Sequence, residues 1–138
     1  MNTMMRLLFV PALVLMLPLA PEVRADAPPY QATVDDDGVQ RVEIVGGSYF
    51  FEPDYVVVKA GVPVELVVTK EEGVAPHSLV IDEPAMGLDI HTMLDTEAKR
   101  IRFTPEVTGI AEFYCDERLL WFRSHHERGM AGTLEVVE

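Results

Sequence analysis

The chain has a single cysteine, Cys115, a single tryptophan and only four histidines in 138 residues. One cysteine excludes an internal disulfide, so the fold must hold without that staple. A lone thiol in an oxidising compartment needs protection, either by complete burial or by ligation to a metal. Positive charge is also scarce. Lys and Arg number 11 against 23 Asp and Glu, for a formal net charge of −12. An acidic body of this kind repels nucleic acid and anionic lipid, which argues against nucleic-acid binding. Beyond the first 20 residues no apolar run is long enough to cross a bilayer.

What is present begins with a leader. Arg6 supplies positive charge, Leu7 to Ala20 form an apolar run broken by Pro11 and Pro18, and Val23-Arg24-Ala25 places small side chains at a cleavage site. Residues 1–25 therefore read as a secretory signal peptide rather than a membrane anchor. Processing removes Arg6, Arg24 and Glu22 and leaves 9 basic residues against 22 acidic ones. The mature protein is expected to be periplasmic, without stable membrane insertion, and monomeric.

Residues 26–39 contain Pro28, Pro29 and Asp35-Asp36-Asp37-Gly38, the composition of a flexible segment. From residue 40 to 138 the pattern is that of one domain, a size that suits this length. Polar and apolar residues alternate over 41–45, Gly46-Gly47 interrupts, and Tyr49-Phe50-Phe51 leads to a turn at Pro53-Asp54. Further strands are expected over 55–59, 64–69, 74–81, 100–104, 110–114 and 132–137. Short strands punctuated by Gly and Pro indicate an all-β sandwich or barrel. Two stretches do not read as strands. Residues 82–97, rich in acids and small side chains, are expected as a long loop, and residues 116–124 show no alternation.

The side chains able to do unusual chemistry are placed suggestively. His77 follows Pro76 at the start of an expected strand, and Cys115 ends the strand carrying Phe113-Tyr114. His125, His126 and Met130 follow just before the last strand. A thiolate, two imidazoles and a thioether form the donor set of a mononuclear blue-type copper site, with Met weak and axial. Zinc would accept the Cys and His but has little use for the Met.

The sequence resembles the cupredoxin family, plastocyanin-like members in particular, from about Tyr49 to Val137. The resemblance is carried by Phe51-Glu52-Pro53-Asp54-Tyr55 with Lys59-Ala60-Gly61, by Ala75-Pro76-His77-Ser78-Leu79-Val80, by Gly109 through Phe113-Tyr114-Cys115, and by Gly129-Met130-Ala131-Gly132-Thr133-Leu134-Glu135-Val136. It implies a Greek-key β-sandwich or barrel holding one type 1 copper ion on His77, Cys115, His125 and Met130. Azurin-like spacing would select His126 in place of His125; the flanking residues favour the plastocyanin-like choice. It also implies one-electron cycling between Cu(I) and Cu(II), with a redox protein or a copper-handling protein as partner.

This chain departs from the family pattern in its ligand loop. Nine residues separate Cys115 from His125, more than most cupredoxins have, and Ser78 stands where plastocyanin has asparagine. The extended loop is similar to that of periplasmic green-copper cupredoxins linked to copper tolerance. In this fold the second histidine lies at the surface within an apolar ring, and Leu119, Leu120, Trp121 and Phe122 are candidates for that ring or for a cap over the metal. His91, Met86 and Met93, in the acidic stretch, could make a second copper site; a surface histidine with two packing methionines is the simpler reading. The competing functional class is an enzyme using Cys115 as a thiol nucleophile, or a cuprous-oxidase-like activity. No nucleophile signature surrounds Cys115, and four histidines are too few for a multicopper oxidase, so the expected protein is not an enzyme.

Overall fold

Alternation along the strands decides which faces meet. In the computed structural model, which describes residues 27–138, ten strands among the described residues form two facing sheets. The signal-peptide reading of residues 1–25 falls outside those residues. One sheet contains β2 (Gln40–Gly47), β3 (Phe50–Glu52), β5 (Val64–Lys70) and β8 (Lys99–Phe103), in the order β3-β2-β5-β8. The other contains β1 (Tyr30–Gln31), β4 (Tyr55–Lys59), β6 (Ser78–Glu83), β7 (Leu88–Met93), β9 (Gly109–Tyr114) and β10 (Ala131–Val137), in the order β1-β4-β10-β9-β6-β7. Val42, Ile44, Leu66 and Val68 point from the first sheet onto Val56, Leu79, Ile81, Phe113 and Leu134 from the second. Each such side chain, fully buried, contributes about 1.5–3 kcal/mol relative to exposure. The sandwich is thus held together by its apolar core.

Register places the chemistry at one end. Strands β10, β9 and β6 are neighbours and run antiparallel, so the residue before β6, the residue after β9 and the residue before β10 all lie at the same edge. Those residues are His77, Cys115 and Met130.

Three expectations need revision. The strand expected over 74–81 starts only at Ser78, and Val74 is fully exposed in the loop before it. Residues 82–97 do not form a long loop. Strand β6 continues to Glu83, a 3-10 turn covers Pro84–Met86, and β7 returns alongside with Val80 opposite His91. The strand signal was the alternation of Leu88 and Ile90 with Asp89 and His91, which the acidic composition hid. Gly87, with φ of 71°, closes the turn in a conformation that other residues rarely adopt. Finally, part of the segment expected to be flexible is held. Tyr30 and Gln31 pair with Val56 and Val57, and Arg41 binds the carboxylates of Asp35 and Asp37 at 2.7 and 2.6 Å.

Among the described residues, no helix is long and apolar enough to cross a membrane.

Candidate metal centre

Three donor atoms converge at the end of the sandwich. Cys115 Sγ lies 3.4 Å from His125 Nδ1 and 4.0 Å from His77 Nδ1, and the two ring nitrogens are 3.1 Å apart. Cys115 has no exposed surface, and both histidines are buried. Met130 is fully buried as well, and its backbone is tied to the other donors: its N–H donates to the His125 carbonyl and its carbonyl accepts from the Cys115 N–H. Its methyl group packs against Gly46, where a Cβ would stand 3.2 Å from Met130 Cε and 2.7 Å from Leu94 Cδ1.

His126 takes no part in this cluster. Its ring stacks on Tyr114 at 4.7 Å between centroids, and its Nε2 lies 3.2 Å from a Glu112 carboxylate oxygen. The neighbour pair therefore divides, His125 inward and His126 toward solvent. The cause is local: His125 precedes a 3-10 turn over His126–Arg128, which swings successive side chains to different sides.

The extended loop leaves His125 in place because it closes on itself. The His125 N–H donates to the Glu117 carbonyl at 2.8 Å, and the His126 N–H donates to the Cys115 carbonyl at 3.0 Å. Residues 118–123 are consequently an outward excursion between two points that the backbone holds together. Leu119, Leu120, Trp121 and Phe122 are all exposed on it, Trp121 by 82%. They surround the centre and do not seal it. Tyr49 lies edge-on to the His125 ring at 5.3 Å and supplies part of the covering instead.

Ser78 braces the cysteine. Its N–H donates to Cys115 Sγ at 3.3 Å. Its hydroxyl donates to Asp116 Oδ1 at 2.6 Å, stands 3.6 Å from Sγ and accepts the Asp116 N–H at 3.1 Å. The serine hydroxyl therefore ties the strand carrying His77 to the loop that follows Cys115.

Burial pushes the proton affinity of His77 down, helped by the nearby charges of His125 and Lys70. Burial also lowers that of His125; Glu117 opposes the shift and Arg128 adds to it. Both shifts favour the neutral ring, the form that offers a lone pair. Two neutral imidazoles and a thiol meeting in a buried space bring lone pairs together with no protein cation among them. That donor set fits one type 1 copper ion, soft at sulfur and borderline at nitrogen.

The alternative of a second copper site finds no support in the placement of its residues, and His91 is the surface histidine of the simpler reading. Met86 is buried in the core beneath Gly109, Met93 is exposed, and His91 points to Asp116, 3.5 Å from its Oδ1. Sequence reasoning passed over Asp116, Tyr49 and Glu117. Only the position of Asp116, directly after the cysteine, could have marked one of them.

No protein-family model and no curated protein matches this sequence. Solved structures do. The metal-binding domain of the Cu(I)-exporting P-type ATPase CopA of Streptococcus pneumoniae D39, determined with Cu(I), is 22% identical with a TM-score of 0.61, over 80% of this chain and 97% of that one. A copper-binding protein determined in its apo form is 20% identical with a TM-score of 0.59, over 80% and 98%. Auracyanin B is 20% identical with a TM-score of 0.57, over 83% and 100%. At such identities the likeness is one of fold: this chain shares the two-sheet architecture of these structures.

Proposed function

We propose that the protein is an exported, periplasmic type 1 copper protein that takes up and releases single electrons, with His77, Cys115, His125 and Met130 as the copper ligands. The observation that carries this reading is the convergence of Cys115 Sγ with the Nδ1 atoms of His77 and His125 at the buried end of β6 and β9. Copper bound there would supply a Cu(I)/Cu(II) couple. The chain's own part is to hold the donors before the metal arrives. Strands β6, β9 and β10 fix three of the four residues, and the Ser78–Asp116 hydrogen bonds fix the cysteine loop. A rigid donor set changes little between the two oxidation states, which favours rapid electron exchange. Ring nitrogens whose neutral form burial favours are ready to bind without first losing a proton.

The exposed residues 119–122 give this site an apolar rim at which a redox partner would dock. A thiol-dependent enzyme would need substrate access to Cys115, and that sulfur is fully buried. A role in copper tolerance would use the same ligands; the two uses differ in whether the bound ion cycles. Spectroelectrochemistry of the copper-loaded mature protein distinguishes them. A single reversible one-electron wave, with the visible band bleaching on reduction and returning on oxidation, supports electron transfer. A copper-loaded protein with no reversible wave contradicts it.

A further inference from the structure

The protein is strongly acidic, yet the loop between Cys115 and Met130 is not; at the copper end the acids Glu71 and Glu72 lie on the other ligand loop, beside His77. Between Cys115 and Met130 the arginines Arg118, Arg123 and Arg128 match the acids Asp116, Glu117 and Glu127 in number, so the surplus of negative charge lies elsewhere. Two of these three acids are engaged. Glu127 accepts the Ser124 N–H and hydroxyl at 2.7 and 3.0 Å, and Asp116 accepts the Ser78 hydroxyl and faces His91. A groove directly over His125 is lined by Tyr49, Leu119, Phe122, Arg123, His125 and Arg128, with no carboxylate among them. The Arg128 guanidinium rests 4.9 Å above the Tyr49 ring, which holds its charge beside the groove. The apolar excursion over 119–122 forms the outer wall.

We infer that this face receives a redox protein whose contact surface is apolar and rimmed by carboxylates, with Arg123 and Arg128 as the receiving groups. The inference rests on the copper reading above and adds the sign of the partner. Two features make the local sign matter more than the net charge. Fields from exposed charges decay over about 8 Å at physiological ionic strength, so a docked partner senses the groove more than the distant acidic sheet faces. Guanidinium groups also pair carboxylates in a fixed, two-point geometry, which sets orientation as well as affinity. An electropositive docking face on an acidic body would thus turn the approaching partner toward His125 and away from the rest of the surface.

The sole tryptophan, Trp121, sits on this face and gives a direct probe. Its fluorescence is quenched with iodide and, separately, with caesium, and the ratio of the two is compared with that of free N-acetyltryptophanamide. A ratio above the free value, falling to or below it in the Arg123→Gln/Arg128→Gln variant, is the expected result. A ratio below the free value in the parent protein, as the net charge alone would dictate, overturns the inference. The second arm mixes the reduced, copper-loaded protein with hexacyanoferrate(III). One electron passes to give hexacyanoferrate(II), with no bond or proton exchanged. The rate should fall as salt is added, and the double variant should be about tenfold slower. A rate that rises with salt overturns the inference. Cosedimentation of the protein with phosphatidylglycerol vesicles would also overturn it, by assigning the face to a lipid surface. Quenching reads the sign of the face with or without copper, so a failure there is distinct from the absence of a copper band, which would strike the copper reading alone.

Discussion

Two of the buried polar clusters among the described residues are built in opposite ways. On the outer face of the four-stranded sheet, the Glu65 carboxylate is almost fully covered and is held by Arg41, Arg100 and Arg102, with contacts at 3.2, 2.6 and 2.5 Å. Both carboxylate oxygens there meet a guanidinium donor. The side-chain hydrogen bonds of Arg102 come first among the causes that hold its pKa below the usual carboxylate value. At the end of the sandwich, His77, Cys115 and His125 meet without any such counter-charge, the two Nδ1 atoms 3.1 Å apart and each within 4.0 Å of Sγ. Burial alone therefore does not mark a binding site. What marks one is the convergence of three buried atoms able to bind a metal, with no ionic partner among them.

The contrast can be broken in several ways. The largest effect is expected at the histidines. His125→Ala should weaken copper binding by about 100-fold or more, since even an outer hydrogen-bond partner of a metal ligand is worth about 10- to 100-fold. His126→Ala should leave the affinity nearly unchanged. Competition with a copper chelator measures both, and equal losses in the two variants would reverse the division between the neighbours. Next is Gly46→Ala, which presses a methyl group onto Leu94 and Met130. Overpacking of this kind costs about 1–3 kcal/mol in urea unfolding, and it should shift the visible band by displacing the Met130 thioether. An unshifted band would separate Met130 from the metal. Glu65→Gln should lower the melting temperature of the apo and copper-loaded protein by the same amount and leave copper affinity alone. A change in affinity would mean that the two clusters are coupled.

The smallest effect is a difference in pH window. The histidine pair resists protonation when folded, so the unfolded chain binds more protons once pH falls below its ordinary value of 6.5. Stability of the apo protein should therefore begin to fall below about pH 6.5. Glu65 has the depressed carboxylate value, so its contribution is present above 4.5 and is lost only as pH falls through its lower folded value. Urea midpoints measured from pH 8 to pH 3 should show two separate declines, and His77→Ala/His125→Ala should remove only the upper one.

Much of this was legible in the sequence, because strand alternation and residue order carry it. Val42 with Ile44, Ala111 with Phe113, and Leu134 with Val136 alternate with polar or exposed neighbours, and that pattern sets both faces of the sandwich. His77, Cys115 and Met130 bracket three strands, so once those strands are adjacent the residues must meet. The hairpin of β6 and β7 was hidden because Asp82, Glu83 and Asp89 dilute the apolar signal, although Leu88 and Ile90 keep period two. The closure of the ligand loop was not legible at all. It depends on a backbone bond from His125 to the Glu117 carbonyl, and no side chain announces that bond. The exposure of Trp121 follows from the same closure, which turns residues 118–123 outward.

The most direct measurement is a Cu(II) titration of the purified mature protein, followed by visible absorption. The account predicts an intense thiolate-to-copper band that saturates at about one equivalent and is absent in Cys115→Ser. Weak, colourless binding, or a band that survives the loss of Cys115, would contradict it.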